Sequence, residues 1–353
     1  MPALQTVRFS LNSRHPPCIS LRMSVRTLIW LALLAALAVW GYWSMIRMPG
    51  DSYEGPFQPL TAEEAALRDE LERHVRVLAG DIGERNVFRK GTLDQSADYI
   101  ESEFAAAGYT VERQGYEVRE QTCYNLIADL RGRIRPDEII VVGAHYDSVM
   151  GSPGANDNGT GIAGVLALAR RLADQPADRT IRFIAFVNEE PPFFQTGRMG
   201  SVVYARMAKE RGDTIVAMMS LETIGYYSDE PGSQRYPPLI SLLYPSTGNF
   251  IGIIGNVRSR ELVRSATRTF RETTDFPSEG AALPSAVPGV GWSDHWAFWR
   301  QGWPAIMFTD TAPFRYPHYH RATDRPEQIH YESFARVVMG IERVIVAMAQ
   351  ADD

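Results

Sequence analysis

The chain has 353 residues, of which 45% are hydrophobic and 22% charged, with a formal net charge of −6. These proportions fit a globular protein with room for one large domain and an appendage, and exclude a disordered or collagen-like chain. The acidic balance, without a P-loop, zinc-finger spacing or dinucleotide fingerprint, argues against nucleic-acid and nucleotide chemistry.

Arg8, Arg14, Arg22 and Arg26 precede an uncharged apolar stretch at 27–46, and no acidic residue occurs before Asp51. As a helix that stretch would span about 30 Å, the thickness of a bilayer's hydrocarbon core. The arginine excess places residues 1–26 as a cytoplasmic tail, 27–46 as an uncleaved signal anchor, and the rest on the periplasmic or extracellular side. A cleaved signal peptide ending at Ala36-Leu37-Ala38 is the rival reading. The apolar run continues past that site to Ile46, longer than a signal-peptide core, and favours the anchor. Cys18 and Cys123 then fall on opposite sides of the membrane, so no internal disulfide is expected and Cys123 reads as a buried or edge thiol.

Residues 47–60, with Pro49, Gly50, Gly55, Pro56 and Pro59, read as a linker, and 61–353 as the folded domain. Thr61-Ala62-Glu63-Glu64 is a capping box ahead of Leu67, Leu71, Val75 and Leu78 at helical spacing. A second helix carries Leu93, Ala97, Ile100 and Phe104 on one face and stops at Gly108. Strands are then predicted at about 113–120, 124–130, 138–144, 180–187, 216–221, 250–255 and 305–309. They alternate with helices at about 159–174, 197–211, 258–272, 293–301 and 327–350. That alternation predicts an α/β fold: three α/β/α layers, with a largely parallel mixed sheet covered by helices on both faces.

Four of the apolar runs deliver His, Asp or Glu at or beyond their C-terminal ends, the edge where open α/β sheets build their sites. The run 139–144 leads into His145-Tyr146-Asp147, followed by the glycine-rich loop 154–161 containing Asp157. The run 181–187 ends at Asn188-Glu189-Glu190, the run 216–221 at Glu222, and 305–309 precedes Pro317-His318-Tyr319-His320. His145, Asp157, Glu190, Glu222 and His320 make a set of imidazole and carboxylate donors suited to two zinc ions, with Asp157 as the bridge. Asp147, two residues beyond His145, can orient the imidazole. Glu189, adjacent to a ligand, is the candidate general base.

These segments, together with Leu221-Glu222-Thr223-Ile224-Gly225 and Ser293-Asp294-His295, resemble the zinc-dependent exopeptidases of the bacterial leucyl aminopeptidase type. Relatives of that family include glutamate carboxypeptidase, glutaminyl cyclase and the transferrin receptor ectodomain. The resemblance covers approximately residues 61–350. It implies that His145 and Glu222 bind one zinc, Glu190 and His320 the other, and that Asp157 bridges them. Glu189 is then the base, Asp147 stands behind the ligands, and Asp294 is a supporting residue near the site. His318 could exchange roles with His320, but His320 precedes Arg321-Ala322-Thr323-Asp324 as in the family's segment. The chain departs from the pattern at Glu222, where many members carry Asp, and at Pro191-Pro192-Phe193-Phe194, which stiffens the loop beside the site.

The activity expected is hydrolysis of a terminal peptide bond of peptides, as an aminopeptidase above all. Two alternatives stand beside it: a single-zinc acyltransferase of the glutaminyl cyclase kind, and a non-catalytic membrane-tethered ectodomain.

Overall fold

A computed structural model describes residues 24–238 and 240–350. The chain divides into two units, 1–41 and 42–353. In the first, helix α1 (Val25–Gly41) carries no acidic residue in its first turn and no basic residue in its last, and buries none of its side chains. The span Val25–Ile46, 22 residues, is long and apolar enough to cross a membrane by length and composition. Most of the expected cytoplasmic tail, with Arg8, Arg14, Arg22 and Cys18, lies outside the described residues.

The second unit begins earlier than residue 61. The segment 47–60 forms no helix or strand, as its prolines require, but it is packed along the body rather than hanging free. Met48 is buried, Tyr53 stacks on Phe57 and Phe57 on Phe276, and Arg271 donates to the carbonyls of Pro49 and Gly50. Apolar and backbone groups along this stretch thus have partners that the composition alone did not reveal.

Helix α2 (Ala62–Val75) opens with the predicted capping box: the Glu64 amide donates to Thr61 Oγ1 and the Thr61 amide to Glu64 Oε2. Leu67, Leu71 and Val75 are buried on one face, and α3 (Thr92–Ala106) buries Leu93, Ala97, Ile100 and Phe104 likewise. The strands are β1 (Val111–Val118), β2 (Gln121–Leu130), β3 (Arg135–His145), β4 (Arg179–Phe186), β5 (Thr214–Leu221), β6 (Ile251–Asn256), β7 (Ser278–Leu283) and β8 (Ala305–Thr309). They form one sheet in the order β1-β2-β4-β3-β5-β8-β6-β7. β4, β3, β5 and β8 run parallel to one another, whereas β2 is antiparallel to β4 and β6 to β8. The sheet is therefore mixed with a parallel centre.

The helices that follow are α4 (Gly161–Leu172), α5 (Gly200–Arg211), α6 (Arg260–Thr273), α7 (His295–Gln301), α8 (Ala312–Arg315) and α9 (Tyr331–Ala349). Along β3, Ile140, Val142 and Ala144 enter the larger core with residues of α2, α4 and α9. Ile139 and Val141 enter a second core with Tyr204 of α5 and Phe298 of α7. Alternate residues of one strand thus serve two cores, which is why β3 reads as a continuous apolar run. Cys123 is free and buried.

Three elements differ from expectation. β1 ends at Val118 because Arg119 and Glu120 take positive φ angles of 49° and 63°, making a two-residue turn into β2. β7, Ser-Glu-Gly-Ala-Ala-Leu, was not foreseen; it lacks β-branched and aromatic residues and is held by parallel pairing along β6. The last helix starts at Tyr331 rather than 327 because Pro326 opens a separate short turn.

Candidate metal centre

The carboxyl ends of β3, β4, β5 and β8 lie on one edge of the sheet, and the five expected donors converge there. His145 closes β3 and is fully buried. Its Nε2 lies 3.1 Å from Glu222 Oε2 and 3.3 Å from Asp157 Oδ1. The second oxygen of Asp157 lies 3.1 Å from His320 Nε2, which is 3.2 Å from Glu190 Oε2. Two triads, His145-Asp157-Glu222 and Asp157-Glu190-His320, therefore share Asp157, one oxygen each.

Those separations match what a metal would need. Donors of a tetrahedral zinc site lie about 3.3 Å apart when each bond is about 2.0–2.1 Å. His145 Nε2 and Asp157 Oδ1 are buried without a hydrogen-bond partner, a costly state that a shared cation relieves. The charge count points the same way. Asp157, Glu189, Glu190 and Glu222 crowd together, and the basic groups within 4 Å of them are His145 and His320.

Burial, reinforced by Asp157, pushes the Glu190 carboxyl up to about 7; burial with Asp157 and Asp294 lifts Glu222 to about 8. Glu189 is held well above the usual carboxylate range by burial and by Glu222 and Glu190, against the pull of His145. Asp157 goes the other way: burial is outweighed by the adjacent imidazoles of His145 and His320, and its carboxyl lies well below the usual range. Crowded, desolvated acids of this kind are the pattern of a cation site.

The surrounding backbone and ligand arms are held by further hydrogen bonds. The imidazole Nδ1–H of His145 faces the Asp147 carbonyl at 3.1 Å, while the Asp147 carboxylate, 3.5 Å from Nδ1, accepts from the amides of Glu189 and Glu190, both at 3.1 Å. Asp147 thus acts on the Glu189-Glu190 turn as well as on the imidazole. Asn158 Nδ2 and Ser293 Oγ donate to Glu222 Oε2 at 2.8 and 3.1 Å, restraining the longer Glu arm. The Val149 amide donates to Glu190 Oε1. Glu189 Oε2 stands 3.8 Å from His145 Nε2. Asp294 is fully buried, and burial pushes its carboxyl up to about 6 against the charge of His145. His318 is turned to Thr323 at 2.9 Å, outside the triads.

Three supporting residues were assigned no role from the sequence. Arg85, fully buried, donates to the carbonyls of Leu78, Tyr146, Pro153 and Gly154, tying the His145 and Asp157 loops together. Asp324 accepts from the amides of Asn156 and Asp157. Asp310 accepts from Asn156 Nδ2, the Thr223 hydroxyl and the amides of Gly225 and Tyr226. Asp310 directly follows β8 and shares the strand-end signature used for the ligands; Arg85 sits in a turn with no periodicity. Gly154 is required as glycine: φ is +66°, and a Cβ there would meet Ser148 Cβ at 2.5 Å.

Glu222 and Tyr319 also border an apolar cavity of about 110 Å³, walled by Tyr236, Tyr244, Trp292 and Phe314 and floored by β6, β7 and β8. Pro191 and Pro192 are exposed and do not line it.

A model of Peptidase family M28 matches residues 125–345. The chain is 36% identical over 285 residues to the uncharacterised protein YfbL of Escherichia coli K12, covering 78% of this chain and 87% of that one. It is 45% identical over 92 residues to aminopeptidase YwaD of Bacillus subtilis, which covers 26% of this chain but only 19% of that relative. Among solved structures, the zinc aminopeptidase BSAP from Bacillus subtilis superposes with a TM-score of 0.65 at 18% identity, covering 80% of this chain and 95% of that one; this likeness concerns the fold. The family match over more than half the sequence and the extended identity to YfbL together establish that the chain belongs to peptidase family M28 and is a peptidase hydrolase.

Proposed function

We propose that the protein is a membrane-anchored aminopeptidase that uses two zinc ions to hydrolyse the first peptide bond of peptides. The observation that carries the reading is the division of Asp157 between two triads, one oxygen to each. His145 and Glu222 would hold one ion, Glu190 and His320 the other. Zinc bound there would lower the pKa of a water and polarise the scissile carbonyl. Glu189, buried beside both triads, takes the proton from the attacking water and passes it to the departing amine. Asp147 holds the turn that carries Glu189 and Glu190 through their two amides.

Charge favours the amino end of a substrate. A terminal carboxylate needs a cation, and among the described residues no Lys or Arg lines the cavity beside the triads, whereas an α-ammonium is welcome among surplus carboxylates. The names of YwaD and BSAP agree with that choice. A single-zinc cyclase would leave one complete triad without a task. A non-catalytic ectodomain would leave both idle. For the membrane, the support is the unburied apolar span Val25–Ile46 with Arg26 at its start and no acidic residue until Asp51. In this reading 27–46 anchors the chain, 47–60 straps onto the body, and the catalytic domain stands outside the cytoplasm.

The test uses the full chain in detergent with tripeptides bearing a free or acetylated N-terminus, with and without chelator. Chelator-sensitive release of the first residue from the free peptides alone is expected. Cleavage of acetylated peptides from the carboxyl end would replace aminopeptidase with carboxypeptidase.

A further inference from the structure

The geometry points to Glu279 as a specificity-determining residue that selects a long cationic side chain, lysine or arginine, at the substrate's N-terminal position. The inference rests on the aminopeptidase reading above and adds that the apolar cavity beside Glu222 receives the side chain of the residue to be released.

Strand register places the acid. Leu221 of β5 pairs with Phe308 of β8, and the Glu222 amide donates to the Phe308 carbonyl, so Glu222 stands beside Thr309. Thr309 pairs with Gly252 of β6, and Gly252 pairs with Glu279 of β7. Glu222, Thr309, Gly252 and Glu279 therefore form one row across four adjacent strands, on one face, and all four border the same cavity. From Glu222 to Glu279 the row covers three strand spacings, roughly 14 Å between Cα atoms.

Each position in the row has its consequence. Glu222 belongs to a metal triad, so the reacting end of a substrate sits there. Gly252 brings no side chain to the floor, leaving a bare step where a Cβ would already touch Thr309 Cγ2 at 3.3 Å. Beyond it, among the described residues Glu279 is the one acid lining the cavity that is not a proposed ligand, and that lining holds no Lys or Arg. The walls are ring faces: Tyr236 stacks on Tyr244, and Trp292 on Phe314. Both tyrosine hydroxyls already donate to backbone carbonyls, Pro245 and Gly280, which leaves the rings rather than the hydroxyls to a guest.

An extended lysine or arginine side chain reaches about 6–7 Å from its Cα to its charged nitrogens, and a hydrogen bond adds about 3 Å. Together with the roughly 4 Å that the Glu279 side chain itself reaches from its Cα, that spans the row past Thr309 and Gly252 to the carboxylate. Leucine stops short of Gly252. Apolar stems along aromatic faces, with a cation at the end, suit such a trough.

Glu279 has a neighbour, Arg271, but at 3.6 Å, and the guanidinium donates instead to the carbonyls of Gly50 and Ser278. Burial accordingly pushes the Glu279 carboxyl up despite Arg271 and Arg47. It also borders a recess at Tyr53, Phe57 and Asn249, which keeps it in touch with water. A guest cation supplies the partner that Arg271 only half provides.

The experiment compares lysyl and norleucyl p-nitroanilides, whose side chains match in stem and differ in charge, on the full-length metal-loaded chain. The wild type is expected to favour lysyl in kcat/KM by about tenfold or more, the worth of a charged hydrogen bond. In Glu279→Gln that ratio should fall by about tenfold. Because the ratio is taken within one protein, lost folding cancels. Glu279→Asp, with a carboxylate one methylene further back, should shift preference from lysyl toward arginyl. A binding readout independent of turnover is the affinity of Glu189→Gln protein for lysyl and norleucyl peptides, where the same preference should appear. Equal or better norleucyl turnover in the wild type, or a ratio unmoved by Glu279→Gln, overturns the role of Glu279 while leaving aminopeptidase activity intact. Hydrolysis of neither substrate overturns both.

Discussion

At the scale of single residues, the centre is a problem of charge first and geometry second. Glu189 is the group asked to move a proton, so Glu189→Gln should reduce kcat by about 10²–10⁴-fold. Elemental analysis should find zinc content unchanged; loss of zinc alongside activity would make Glu189 a ligand instead. Arg85 works at one remove. Its buried guanidinium has no carboxylate partner within hydrogen-bond reach among the described residues but serves the carbonyls of both loops that carry proposed ligands. Arg85→Ala strands those carbonyls, and a loss of about 3–5 kcal/mol in urea unfolding is expected. His295 sets a pH limit. Burial pushes its imidazole down to about 4, Nε2–H donates to the Val290 carbonyl, and Nδ1 is buried with no acceptor for a second proton. Folding therefore favours the neutral ring. Its contribution is complete above an unfolded pKa of about 6.5 and is lost as pH falls toward 4, on the order of 3 kcal/mol. Between pH 7 and 4.5 the stability of His295→Gln should fall less steeply than that of wild type; parallel slopes would remove His295 from the account.

At the scale of elements, the informative strands were those that end in chemistry. β3, β4, β5 and β8 are apolar because both faces of the central sheet are covered, so their boundaries and the polar residues after them stood out in the sequence. β7 did not, since Glu279, Gly280, Ala281 and Ala282 have neither periodicity nor β propensity; its existence depends on β6 and on close packing. The Arg119-Glu120 turn was equally hidden, because neither residue advertises a positive φ. The strap 47–60 shows the same limit: its prolines gave the lack of regular structure, but not the pocket that takes Met48. A Cβ at Gly280 would meet Met48 Cγ at 2.5 Å, so the strap is keyed to β7. Met48→Ala should cost about 2–4 kcal/mol in thermal or denaturant unfolding. An unchanged midpoint would return the segment to the role of a loose linker.

At the scale of the whole molecule, five donors drawn from three strand ends and two loops are brought together by one sheet, and this convergence is what the sequence could suggest only through order and motif. The order of segments identified the family; the separate oxygens of Asp157, the restraint on Glu222 and the row leading to Glu279 required coordinates. Proximity of the five donors alone admits one metal or two. The shared carboxylate is the feature on which the proposal of two rests. Anomalous diffraction at the zinc edge from crystals of the active protein tests it most directly. Two peaks are expected, one among His145, Asp157 and Glu222 and the other among Asp157, Glu190 and His320. A single peak in fully active protein would contradict the two-ion centre.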